Sequence, residues 1–477
     1  MYIVLLVFVS LISSGCLAEF VITAHEREEL GGGEAPTVGL GFNMESLLKK
    51  YGYPFENHGV ITEDGYVLAL HRIPYGRNSS ETNETKPAVL IVHGIGSSSG
   101  DFVVLGPERS LPLMLADLGY DVWLGNNRGN TWSRKHQTLD ADKNSSFWDF
   151  SFDELSLYDT PAMIDHVLTV SRNEKLSYVG HSQGTTQFFA LASQQPDYND
   201  KVNVMMALGP AVYCGNMSNP IVQFLKDYYT VVELLTSYLN LTEILPHSLV
   251  IETALKLVCK DGGEYQEACP IILFILFGFD SDQLNRSDIK VLLDTFPAGF
   301  AIKELKHYLQ LVKSNTFRQF DYGILNNMAK YNKSSPPEYN VSLVTAPVAL
   351  YYGQNDWLVG MADVNRLADE LPNVVEKRLI DYEYFNHIDF ILAKDVASML
   401  YFNVINKLNE INGFAPIIST STLSTSATST TNESGSTTSP DNTTSTEDGG
   451  RHTGSASSLN KMAHIICIFV AVLIFVI

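Results

Sequence analysis

The chain has 477 residues, room for one large domain of roughly 200–250 residues plus a substantial insertion. Hydrophobic residues at 45% and aromatic residues at 11% are an ordinary globular balance. The formal charge of −21 argues against nucleic acid as a partner, because no basic surface would displace counterions from phosphates.

Residues 1–18 are almost wholly apolar from Ile3 to Ile12 and end in Cys16-Leu17-Ala18, the pattern of a secretory signal peptide cleaved before Glu19. Only the amino terminus supplies the usual basic n-region. An N-terminal extension, 19–42, follows. From 43 to 210 strands and helices alternate. Strands are expected at 88–92, 120–124, 176–179 and 202–208, with helices at 113–118, 160–170 and 185–193. Pro161 stands in the first turn of the second of these helices, where proline is tolerated. The rhythm breaks over 211–339, which is mostly helical in pattern and rich in apolar and aromatic residues. This stretch reads as a cap inserted between two sheet strands and lying over their C-terminal ends. Alternation resumes over 340–417, with a strand at 347–352 and a helix from about Asp363 to Leu371. The whole indicates an α/β fold, a mostly parallel sheet with helices on both faces.

The Ser/Thr-rich tract 418–458 lacks the large apolar residues needed to offset ordering entropy and reads as a disordered stalk. The tail 459–477 ends in an apolar run from Ile465 that is short of the roughly 20 residues a bilayer span needs. With Gly454, Ser455, Ala456 and Ser457 before it, the tail fits a glycolipid (GPI) anchor signal, and a short C-terminal membrane helix is the alternative. Sequons at Asn78, Asn83, Asn144, Asn216, Asn240, Asn285, Asn332 and Asn340, with Asn432 and Asn442 in the stalk, fit a glycosylated lumenal or extracellular chain. Apart from Cys16 and Cys467, the cysteines are Cys214, Cys259 and Cys269. The spacing of Cys259 and Cys269 suits a local disulfide in an oxidising compartment, leaving Cys214 as a buried thiol. No metal-ligand spacing occurs, and no cofactor is implied.

The pentapeptide Gly-x-Ser-x-Gly occurs twice. A nucleophile elbow needs a strand running straight into a tight turn and then a helix. Gly180-His181-Ser182-Gln183-Gly184 has that context, with Leu176–Val179 before it and a helical run after it. Gly96-Ser97-Ser98-Ser99-Gly100 instead reads as a flexible loop after the strand that ends in His93-Gly94. Ser182 is therefore the candidate nucleophile. An oxyanion hole takes one N–H from the residue after the nucleophile and one from the loop after an earlier strand, here Gln183 and Ile95. The base should follow in the order Ser, acid, His. His247 and His307 lie in the insertion, and His452 and His464 in the tail, which leaves His387. Asp356 follows the strand that ends at Tyr352-Gly353 and is the candidate orienting acid. Asp363 and Asp381 are less well placed, and Asp389 reads as a helix-start residue.

These residues, with Tyr51-Gly52-Tyr53-Pro54, Thr62-Glu63-Asp64-Gly65-Tyr66, Gly125-Asn126-Asn127-Arg128-Gly129-Asn130 and Asn386-His387-Ile388-Asp389-Phe390, resemble the acid lipases, the α/β-hydrolase family of gastric and lysosomal acid lipase. The resemblance covers about residues 43–405. It implies hydrolysis of neutral lipid esters, triacylglycerols and perhaps steryl esters, at an oil–water or membrane interface. It also implies Ser182, Asp356 and His387 as the triad, Ile95 and Gln183 as oxyanion donors, and a cap whose lid covers the site. Phe279-Asp280-Ser281 in the insertion looks family-like. A monomer needing no cofactor is expected. The alternatives are a non-lipid carboxylesterase or acyltransferase, and an inactive surface protein that binds lipid.

Overall fold

The computed structural model describes residues 42–82, 84–246, 252, 255, 256, 259 and 268–417. The expected signal peptide, residues 19–41 of the extension, Asn83, the stalk and the C-terminal tail lie outside them.

Among the described residues a nine-stranded sheet runs in the order β1-β2-β4-β3-β6-β7-β10-β11, with β5 paired to β2. Its strands are β1 Glu56–Ile61, β2 Tyr66–Ile73, β3 Ala88–Val92, β4 Asp121–Gly125, β5 Lys135–His136, β6 Leu176–His181, β7 Val202–Leu208, β10 Val348–Tyr352 and β11 Val374–Leu379. From β4 across to β11 every pairing is parallel, whereas β1 and β2 form an antiparallel hairpin at one edge. β3, β4, β6 and β10 are buried along their whole length, which is why they read as unbroken apolar runs. Their side chains alternate between two cores. Leu90 and Val92 pack on one face with Met163, Ile164 and Val167 of α3 (Thr160–Ser171) and Phe188 of α4 (Gln183–Gln194). Val89 and Ile91 pack on the other with Leu113 and Leu115 of α2 (Leu111–Asp117), as does Met44 of α1 (Met44–Lys50).

Two parts of the sheet escape an apolar-run reading. β1 alternates between half-buried and exposed positions, and the edge strand β11 is half-buried or exposed throughout, so neither offers a continuous hydrophobic signal. The Ser/Gly segment 96–100 is also a correction. It is no flexible loop: Ser97, Ser98, Ser99 and Gly100 are all buried. Ser98 caps a single 3-10 turn, and the Ser99 hydroxyl lies 2.8 Å from His71 Nδ1 while accepting from Asn126 Nδ2 at 3.1 Å. The buried hydroxyls are satisfied by backbone, Asp101, His71 and Asn126, which a composition-based reading takes for solvation.

The strand order reverses around β3, whose neighbours are β4 and β6, so a topological switch point lies beside it. Register brings the C-terminal ends into line: Val92 faces Gly180, His181 faces Leu208, and Leu208 faces Tyr351. The residues that follow these ends, 93–95, Ser182, Gly209 and Gly353, therefore leave the sheet side by side.

Between β7 and β10 the described residues are mostly helical. They form α5 (Pro220–Asp227), α6 (Tyr229–Tyr238), α7 (Ala268–Phe277), α8 (Arg286–Leu292), α9 (Ile302–Ser314) and α10 (Ile324–Tyr331). A two-residue ladder joins β8 (Glu243–Ile244) to β9 (Phe300–Ala301). Cys259 and Cys269 form the expected disulfide, and Cys214 is a buried free thiol. After β10 come α11 (Met361–Glu370), β11, α12 (Asp389–Leu392) and α13 (Phe402–Asn412). No helix among the described residues is long and apolar enough to cross a membrane.

Candidate active site

Ser182 stands alone between β6 and α4, with φ 53° and ψ −118°. A non-glycine residue at positive φ is strained and persists only where its surroundings hold it. Its N–H donates to Leu208 O at 3.0 Å, and its carbonyl accepts from Thr185 N at 2.8 Å and Thr185 Oγ1 at 2.6 Å. The flanking glycines are required by contact. A Cβ on Gly180 would lie 2.7 Å from the Gly184 backbone, and one on Gly184 would lie 2.3 Å from Val92 O. The pentapeptide thus lets α4 turn back against β3. Ser182 itself is 7% exposed, at the positive end of α4.

His387 and Asp356 meet 31 residues apart in sequence, with His387 Nδ1 2.7 Å from Asp356 Oδ2. The other carboxylate oxygen, Oδ1, accepts the N–H groups of Leu358 at 2.9 Å and Val359 at 2.8 Å, so the carboxylate is fixed from both sides. Both side chains are buried. Asp356 sits on the loop after β10, as expected, while His387 sits on the loop after β11. A Cβ at Gly209 would come within 3.3 Å of the His387 ring, so glycine there lets the imidazole approach the end of β7. The ring of Phe277, the last residue of α7, stacks on the imidazole at 6.2 Å between centroids. Among the described residues no hydrogen bond joins the Ser182 hydroxyl to His387. Such contacts commonly tighten only when substrate is bound.

The 93–95 turn packs on the same serine: a Cβ at Gly94 would lie 3.0 Å from Ser182 Cβ. His93 sets the direction of this turn. Its Nε2 accepts the Asn127 N–H at 3.2 Å, so Nδ1 carries the proton and donates to Gly94 O at 2.7 Å. In a trans peptide the Ile95 N–H points opposite to that carbonyl. Burial pushes His93 down to about 4, which keeps it neutral in this role. Gln183 is the first residue of α4, so its N–H has no acceptor within the helix. Gln183 at the start of α4 and Ile95 on the turn packed against Ser182 are thus the candidate backbone donors.

Three neighbours have no site role in the sequence reading, which takes Asp389 only as the helix start it is. His181 is buried, with Nε2 3.2 Å from His387 O, and burial holds it well below the ordinary imidazole range. Glu304 of α9 accepts from Gln183 Nε2 at 2.8 Å and from Ala301 N at 2.7 Å, linking the cap to the start of α4. Burial pushes its carboxyl up to about 8. The third is Asp389, the first residue of α12, whose carboxylate accepts the Asn386 N–H at 2.7 Å. None of the three has a spacing that distinguishes it from an ordinary polar residue. His307 stays out of the site: it stacks on Phe152 at 3.8 Å and lies 2.9 Å from Arg318 O. Asp363 is taken up by the backbone and side chain of Asn216, each at 2.8 Å. A cavity of about 850 Å³ on the cap, lined by Lys303, Lys306 and Tyr229 among others, touches none of Ser182, Asp356, His387, Ile95 or Gln183.

Comparison with known proteins shows the family. Residues 87–393 match the family described as alpha/beta hydrolase fold, and residues 44–106 match the partial alpha/beta-hydrolase lipase region. The chain is 42% identical to Lipase 1 of Drosophila melanogaster over 375 residues, 78% of this chain and 81% of that one. It is 38% identical to gastric triacylglycerol lipase of Rattus norvegicus over 372 residues, 77% and 92% of the two chains. It is 37% identical to human lysosomal acid lipase/cholesteryl ester hydrolase over 391 residues, 81% and 96% of the two.

Proposed function

The chain belongs to the α/β-hydrolase lipase family that includes the gastric and lysosomal acid lipases, and from that premise we propose that it hydrolyses carboxylic ester bonds of neutral lipids, triacylglycerols and steryl esters, with Ser182 as nucleophile. His387 takes the Ser182 proton as the serine oxygen attacks the ester carbonyl. The resulting oxyanion is held by the Ile95 and Gln183 N–H groups. His387 then returns the proton to the departing alcohol, leaving an acyl-serine. Water, deprotonated by His387, attacks that ester and releases the fatty acid and Ser182. Asp356 keeps Nδ1 protonated, so that Nε2 is free to act as base, and stabilises the imidazolium. No cofactor takes part.

The observation that carries this reading is the buried Asp356–His387 contact of 2.7 Å, on loops that emerge beside the strained Ser182. Action at a lipid surface is supported by the cap. Leu234 is 66% exposed and Tyr238 86%, and Phe224, Leu235 and Leu239 beside them are also exposed. Apolar exposure on this scale marks a surface that meets another apolar phase. Comparing emulsified triolein with a soluble short-chain ester, with Ser182→Ala as control, tests the proposal. Turnover should rise at the emulsion surface. Turnover confined to the soluble ester would leave a non-lipid carboxylesterase.

The same proposal takes the chain through the secretory pathway. The Cys259–Cys269 disulfide supports an oxidising compartment. So do the sequon asparagines, since Asn78, Asn144, Asn216, Asn240, Asn285, Asn332 and Asn340 are all exposed. The chain would be a glycosylated monomer carrying a C-terminal glycolipid anchor. Release of activity from cells by phosphatidylinositol-specific phospholipase C is the expected result, and retention would favour a membrane helix.

A further inference from the structure

The cap segment 277–283 is fastened to the catalytic loops by several hydrogen bonds. The His387 N–H donates to Phe277 O at 3.3 Å, Asn386 Nδ2 to Gly278 O at 3.0 Å, and Asn355 Nδ2 to Phe279 O at 2.8 Å. The Trp357 N–H, next to Asp356, also reaches Phe277 O at 3.4 Å. The segment lies so close that a Cβ at Gly278 would fall 2.3 Å from Asn355 O.

At the centre of this contact are two carboxyl groups. Asp280 of the cap segment is 2% exposed and Asp389, two residues after His387, is 3% exposed. The Asp280 carboxyl lies beside that of Asp389 and raises its pKa. Asp280 Oδ1 is supplied with donors by Asp282 N at 3.0 Å, Gln283 N at 3.1 Å and the Tyr382 hydroxyl at 3.1 Å. Asp280 Oδ2 is buried and meets no ordinary donor. Asp389 Oδ2 accepts the Asn386 N–H at 2.7 Å. The other ionisable groups facing the pair are Asp282, Tyr382 and Asp356, with His387 beyond them, and among the described residues no lysine or arginine pairs with either carboxylate. Two like charges side by side, buried without a cation, cannot both persist, so the pair must share a proton.

We propose that Asp280 and Asp389 form a one-proton clasp that holds the cap segment against the loop carrying His387, which makes both of them positioning residues for the ester hydrolysis. The inference deepens the triad reading and rests on it. The proton sits on Asp389. Burial, then the Asp280 charge, keep Asp389 well above the ordinary carboxylate range. The sign follows. The clasp is intact at low pH and is lost as the pH rises through the raised value for Asp389. Beyond that point Asp280 and Asp389 repel, segment 277–283 loosens, and His387 loses the backbone contact that sets its position.

The test uses Asp280→Asn and Asp389→Asn, each of which replaces the shared proton with a permanent amide donor. In isotope-edited infrared spectra with labelled aspartate, wild type should show a protonated-carboxyl band at neutral pH that is missing from both variants. In kcat/KM profiles on a soluble ester, Asp280→Asn should keep about tenfold more activity than wild type one unit into the alkaline decline. An absent band overturns the clasp. A band with coincident alkaline limbs overturns its effect on His387. Should Asp280→Asn fail to fold, Asp389→Asn supplies both readouts. Labelling of Ser182 by a fluorophosphonate, followed in parallel, separates the two readings: a wild type that never labels refutes the triad, whereas the infrared band reports on the proton independently.

Discussion

Replacing Asp356 with asparagine should remove nearly all activity while leaving the fold in place. Asp356 Oδ1 accepts two backbone N–H groups, from Leu358 at 2.9 Å and Val359 at 2.8 Å. An asparagine keeps those bonds by directing its carbonyl oxygen at them. Its amide nitrogen then faces His387 Nδ1, where the carboxylate oxygen stood at 2.7 Å. Two donors cannot share that contact, so the imidazole must move its proton to Nε2. In that tautomer it has no lone pair for the Ser182 proton. A triad deprived of its orienting carboxylate in this way loses about 10⁴-fold in kcat, or about 5 kcal/mol of transition-state stabilisation. The assay is steady-state hydrolysis of a soluble chromogenic ester, with a thermal melt on the same sample. A variant within about tenfold of wild type, folded by its melt, would refute the reasoning.

Three further outcomes follow from the packing of the cap. Because burial pushes Glu304 up to about 8, its stabilising contribution is present at low pH and disappears as the pH rises through that value. Glu304→Gln cannot titrate, so the wild-type advantage in Tm should be largest in acid and shrink through pH 8; a constant gap would refute it. Replacing Cys259 and Cys269 with serine frees a loop whose ends are 10 residues apart, which corresponds to about 3 kcal/mol. The non-reducing Tm should fall, and an unchanged Tm would mean the cap's apolar contacts alone hold this loop. Leu234→Asp with Tyr238→Asp places charge on the exposed face of α6, and the ratio of emulsion to soluble-ester rates should drop about tenfold or more. A ratio equal to wild type would take α6 out of the lipid contact.

Much of the core is legible in the residues, because strands buried on both faces must be apolar throughout. β3 and β7 stand where the apolar runs place them, and the central helices differ by a residue or two. The β1–β2 hairpin and β11 are not legible in this way. Their alternating or exposed side chains carry half the hydrophobic signal, and pairing with an already formed sheet holds them in place. The loss matters for the site, since β11 delivers the loop of His387. Ser182 is legible because strand, glycine and helix must meet there in a fixed order. The positions of Asp356 and His387 follow from chain order and the fold's strand ends. Glu304, His181 and the Asp280–Asp389 pair are not legible, because nothing in a sequence tells a buried carboxyl from a solvated one. Segment 96–100 shows the same gap in reverse: a composition typical of loops is buried by hydrogen bonds to Asp101, His71 and Asn126.

The central claim is that Ser182 is the nucleophile and His387 its base. Reaction of the intact protein with a fluorophosphonate, followed by peptide mapping, tests it most directly. One labelled peptide is expected, containing Ser182, with labelling abolished in Ser182→Ala and slowed about 10³-fold or more in His387→Ala. A label on Ser98, or no label from a preparation that still hydrolyses esters, would contradict it.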